Sequence, residues 1–73
     1  MIELTLVGAA VGAAAAAFAA AIGIGMIGRA MMESTARQPE SAGNLRTGMI
    51  ISAGMIEGAA LFAIIVCALI VFR

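Results

Sequence analysis

Residues 48–72 read GMIISAGMIEGAALFAIIVCALIVF, a run of about 25 residues in which Glu57 is the one charge. A run of that length is enough to cross a bilayer as a helix. Glu57 stands about ten residues in from Arg46, which puts it about 15 Å deep, close to the bilayer midplane. A lone carboxyl at that depth is costly, and residues of this kind mark ion pathways and proton relays. The spacing predicts a membrane span whose purpose is tied to that carboxyl.

The rest of the chain fits a membrane setting. Of 73 residues, 64% are hydrophobic and 11% charged, and mean hydropathy is +1.19. So short a chain cannot enclose that much apolar surface in a soluble core, but it has room for two spans. Four basic and four acidic residues balance to zero net charge. No basic patch points to nucleic acid. The single cysteine, Cys67, excludes an internal disulfide and a cysteine metal cluster; in its apolar run it reads as lipid-facing or as packing filler. Glu3 and the absence of an early Lys or Arg argue against a secretory signal, so the first apolar run is expected to be a mature span.

That first run is residues 4–28, also about 25 long. A polar connector, residues 29–47, separates the two. Pro39 is the only proline; it cannot continue a helix and keeps Gln38 out of the α region. The expected architecture is an all-α, two-helix antiparallel transmembrane hairpin forming one domain over 1–73: helix one about 3–37, a turn about 38–43 and helix two about 44–72. Ser41 is a candidate cap for the second helix. Arg29, Arg37 and Arg46 lie in or beside the connector and Arg73 near a terminus. The positive-inside rule then predicts a cytoplasmic connector with both termini outside.

From Ala13 to Gly25 every second residue is small. Two steps on a helix turn about 200°, so the series splits into two stripes on opposite sides. One is Ala13, Ala17, Ala21 and Gly25; the other is Ala15, Ala19 and Gly23. Each has the spacing that lets helix backbones approach closely in lipid. Two such stripes suit a helix held between two like neighbours, as in a closed homo-oligomeric ring. Gly54 and Gly58 open space around Glu57, and Gly25 is expected near the carboxyl. Beyond Ala60 the second helix is bulky, which places helix one inside and helix two outside.

An Ala/Gly-rich first helix, the connector sequence Ala36-Arg37-Gln38-Pro39-Glu40 and one carboxyl in the second helix together resemble the c-ring subunit of the rotary F-type ATP synthase, its membrane-sector proteolipid. The resemblance spans the chain. It implies a rotor ring of identical hairpins, turning against the stator's a subunit, which contributes an arginine, and coupled to the gamma and epsilon subunits of the central stalk. By position, Glu57 matches the ion-binding carboxyl, and Arg37, Gln38, Pro39 and Glu40 match the turn that meets the stalk. Such a subunit is a non-catalytic part of its complex. Sodium-type members carry a Ser or Thr just after the carboxyl and a Gln on helix one. Here Gly58, Ala59 and Ile24 stand at those places, so the implied ion is a proton rather than sodium. Some proton-type members use a Tyr five residues on, where this chain has Phe62; a backbone carbonyl near Met55, or a water, is the expected partner instead. No cofactor or metal is expected.

Desolvation disfavours an ionised carboxyl, so Glu57 is expected to be protonated while it faces lipid and to ionise beside a stator arginine and water. Two other function classes fit the hairpin: a non-transporting scaffold, for which Glu57 is dispensable, and a holin-like pore. Arg29 and Glu33 are expected to form a solvated i,i+4 pair, with anionic headgroup binding by Arg29 as the alternative. Met26, Met31 and Met32 read as packing, and Glu3 and Arg73 as interfacial anchors. A bacterial plasma membrane is the expected location.

Overall fold

The computed structural model describes residues 2–73. Helix α1 runs Ile2–Arg37 and helix α2 runs Ala42–Phe72, joined by a single 3₁₀ turn at Pro39–Ser41. Helix one ends where Pro39 demands it. Gln38 leaves the α region, at φ −135° and ψ 71°, the region a following proline disfavours. Its N–H still donates to the Ser34 carbonyl at 2.8 Å, and the Ser41 N–H donates to the Gln38 carbonyl at 2.9 Å. The chain therefore reverses with one non-helical residue between Arg37 and Pro39.

Helix two begins at Ala42, earlier than the turn residues 38–43 imply, because the 3₁₀ turn runs straight into it. The Ala42 N–H donates to the Pro39 carbonyl. Ser41 occupies the N-cap position, but its side chain makes no cap hydrogen bond. That corrects the expectation of a serine cap: the 3₁₀ turn already supplies a carbonyl to the incoming helix.

The two helices lie antiparallel in a thin slab measuring 56 × 15 × 8 Å. The long dimension exceeds the roughly 30 Å hydrocarbon core of a bilayer, and the polar connector residues gather at one end of it. Arg29 and Glu33 form the expected i,i+4 pair there, Nε to Oε1 at 3.0 Å, and both are exposed; such a pair contributes a few tenths of a kcal/mol.

Helix one meets helix two along Ala9, Ala13, Ala16, Ala20, Ile24 and Ile27, which are buried or half-buried. Facing them are Met49, Ala53, Ile56, Ala60, Ile64 and Cys67, all half-buried. Two glycines set the spacing. A Cβ at Gly12 would lie 3.0 Å from the Cys67 Sγ, and one at Gly23 would lie 3.3 Å from the Ile56 Cδ1. Cys67 is thus packing, filling the hollow at Gly12. The contacts at 12 and 23 are spaced along α1 as those at 67 and 56 are along α2, so one register holds throughout. It sets Glu57 level with Ile22.

Ala9 is the one buried residue among the described residues, and it is still 5% exposed. Phe18, Met55 and Phe62 are about 70% exposed. A single hairpin has almost no core of its own; lipid and like neighbours must cover its flanks.

The Gly12 contact is a direct test of this packing. Gly12→Val should destabilise the hairpin by about 1–3 kcal/mol, since the added methyls must displace the Cys67 sulfur from a tight contact. Adding Cys67→Ala should restore most of the loss. Denaturation in detergent micelles, followed by a fluorophore pair at the membrane ends of the two helices, measures both.

Candidate functional site

Each helix of the hairpin has a seam facing its partner and two flanks. At about 100° per residue, Glu57 falls about 65° to one side of the seam of α2. Its side chain is exposed, and it forms no hydrogen bond or ion pair with any other described residue. A carboxyl inside a membrane span, turned sideways and unpartnered within its own chain, is built to meet something outside that chain.

Residues that deviate from the seam in the same rotational sense share a side of the hairpin. The shallow grooves along the slab agree with that assignment. One groove has Ala10 and Ala13 of α1 beside Ile64 and Ala68 of α2. The other, on the opposite side, has Ala16 and Ala19 beside Ala59 and Ala63. Glu57 shares the first side with Ala17 and Ala21; Ala15 and Ala19 belong to the second. The two small-residue stripes therefore lie mainly on opposite sides of the α1–α2 seam, Ala13 and Gly23 reaching into it, and Ala16 and Ala20, which belong to neither, complete it.

The residues expected around the carboxyl do not all gather about it within one chain. Gly54 lies on the same flank as Glu57, about one turn toward the connector, and Gly58 faces away from the seam. Both leave open space where a Cβ would stand. Met55 and Phe62 lie on the opposite flank of α2, exposed. Gly25 is on the side of α1 turned away from α2, again in open space. Arg37, Gln38, Pro39 and Glu40 stand together and exposed at the tip of the connector.

A second polar side chain occupies span two. Ser52 is exposed and falls about 75° to the other side of the seam, opposite Glu57. Charge does not reveal it, and a serine in an apolar helix is ordinary. Its signal is its place: the other oxygen-bearing side chain of the span, on the other flank.

No cluster of His, Cys, Asp or Glu able to hold a metal ion occurs among the described residues. What the arrangement offers is one carboxyl, one hydroxyl and open space beside glycines, on a slab with two small-residue faces.

Residues 7–70 match the family model described as the ATP synthase C subunit. The chain belongs to the ATP synthase c-subunit family. It is 60% identical to the ATP synthase c subunit of Phocaeicola vulgatus over 65 residues, covering 89% of this chain and 77% of that one. With the Bacteroides thetaiotaomicron protein of the same name it shares 49% identity over 71 residues, covering 97% and 84%. A Lactobacillus helveticus relative, also an ATP synthase c subunit, is 48% identical over 64 residues, covering 88% and 83%. The family is one of helical-hairpin ring subunits, and the fold agrees: two apolar helices, each long enough to cross a membrane. The rotor role in ATP synthesis and ion transport follows from this membership, and the relatives are bacterial.

Proposed function

We propose that this chain carries protons: Glu57 takes up and releases one proton per passage, and a ring of these hairpins turns as it does so. The observation that carries the reading is the sideways, unpartnered position of Glu57 in the middle of span two, on a slab with small residues along both sides. Stacking the Glu57 side of one copy on the opposite side of the next is a head-to-tail contact, which closes into a ring when the rotation allows. It sets Glu57 of one copy against Met55, Ala59 and Phe62 of the next, at the same depth. That surrounding is apolar, so the carboxyl is neutral while it is enclosed there. A cation on the stator, together with water, makes the ionised form favourable, and the proton leaves. Return to the apolar environment requires a new proton, which couples flow to rotation.

The ion is a proton on the same grounds. Sodium requires several oxygen ligands to replace its hydration shell, and Gly58, Ala59 and Ile24 supply none from their side chains. The partners are identical copies, the stator's a subunit, the gamma and epsilon subunits of the central stalk, and membrane lipid. Arg37, Gln38, Pro39 and Glu40, exposed at the end of a polar rod clear of the lipid, are the surface that meets the stalk. The three connector arginines place that end in the cytoplasm of a bacterial cell and both termini outside. The chain performs no phosphoryl chemistry, which belongs elsewhere in the complex.

Glu57→Gln keeps shape and hydrogen-bonding capacity but cannot ionise. ATP-driven proton transport by membranes carrying it should fall to background while rings still assemble. Transport at the wild-type rate would overturn the carrier reading in favour of a scaffold. Stacking has its own test. In a Cys67→Ala background, Ala68→Cys combined with Val66→Cys places thiols on opposite sides of α2, where they cannot pair within one helix. Oxidation should produce a ladder of covalent multimers, and neither substitution alone should do so.

A further inference from the structure

Glu57 and Ser52 are the two oxygen-bearing side chains of span two. Neither hydrogen-bonds to another described residue. Of the other described hydroxyls, Ser34 and Ser41 likewise lack a side-chain hydrogen bond but stand in the polar connector, where water serves them, whereas two threonines bond their own helix. Thr35 donates to the Met31 carbonyl at 2.8 Å, and Thr47 donates to the Gly43 carbonyl at 3.0 Å. Both therefore satisfy themselves on their own helix, although they stand beside the polar connector. Ser52, deeper in the span and exposed, makes no such bond, although an unbonded hydroxyl is costly in hydrocarbon.

The flanks explain the difference. In the head-to-tail stack proposed above, on which this inference rests, the side of α2 bearing Glu57 meets the side of the next α2 bearing Ser52. The two residues are about 7.5 Å apart along the helix axis. Side chains on both helices lean toward the N-terminus alike, so the lean leaves that offset unchanged and the length of the Glu57 side chain has to span it. That offset exceeds a single hydrogen-bond length, so a contact between the two requires a bridging water. Gly54 stands on the flank of Glu57 between the two levels and leaves open space where a side chain would block that water. The site is polar at both ends, as a trapped water requires.

We propose that Ser52 of each copy holds a water against Glu57 of its neighbour, on the connector side of the carboxyl. Ser52 is then a positioning residue: it fixes the water that bonds the carboxyl oxygen and gives the proton an oxygen partner on the connector side. No other side-chain hydroxyl lies in residues 48–72 to take that role.

Infrared difference spectroscopy of the purified ring between acid and alkaline pH tests this, because the C=O stretch of a protonated carboxyl rises in frequency as it loses hydrogen bonds. The Glu57 band is the one absent from Glu57→Gln. In Ser52→Ala that band should move to higher frequency and ATP-driven proton transport should slow severalfold. In Ser52→Thr, which keeps the hydroxyl, the band should stay at the wild-type position. A Glu57 band that does not move in Ser52→Ala overturns the role of Ser52 and leaves the carrier intact. A ring with no protonated-carboxyl band dependent on Glu57 overturns the carrier reading itself.

Discussion

A carboxyl in the middle of a bilayer must be neutral or partnered, and every other feature of this chain answers to that constraint. The hairpin does not supply the partner. It presents Glu57 on a flank, with α1 against one side of α2 and open space along the flank itself. In the proposed function, the carboxyl is left to the next copy, the lipid and the stator in turn. A site that closed around Glu57 within one chain would hold its ion too well to pass it on. On that proposal, leaving the site incomplete would make protonation depend on what lies beside the ring at each point of its rotation.

The helices serve that end by being thin. Along the seam, Ala9, Ala13, Ala16 and Ala20 let the backbones approach, and Gly12 and Gly23 receive Cys67 and Ile56. Small residues along both flanks extend the same close approach to both neighbours. Glycine weakens a helix, and here the cost is offset by contacts on three sides. Lipid removes the competing hydrogen bonds of water, so the helices survive with almost no core of their own.

Much of this was legible from the residues. Pro39 fixed the end of helix one at Arg37, because its ring forbids any other continuation, and the two uncharged runs defined the spans. Glu57 announced itself as the one charge in an apolar run. What could not be read is which face of an alanine-rich helix does which job. When nearly every position from Ala13 to Gly25 is small, periodicity cannot choose among faces. The choice is made by the bulk on the partner helix, at Ile56 and Cys67. That is why Ala16 and Ala20, outside both two-step stripes, complete the seam. Ser41 misled for a related reason: it has the residue type of a cap, but the preceding 3₁₀ turn had already provided the acceptor. Ser52 carries no charge and breaks no pattern, and its significance emerges only once the two flanks of α2 are set opposite each other.

The central claim is that Glu57 is a neutral, proton-bearing carboxyl in an apolar site between copies. Carbodiimides attack protonated carboxyls in such sites, so the decisive measurement is their reaction with the detergent-solubilised ring against pH, with and without sodium, resolved by residue with mass spectrometry. Selective modification of Glu57, persisting well above the range in which an ordinary Glu is protonated and indifferent to sodium, is the predicted result. Modification of Glu57 no greater than that of Glu33 and Glu40 would contradict the account, and protection by sodium would replace the proton with sodium as the carried ion.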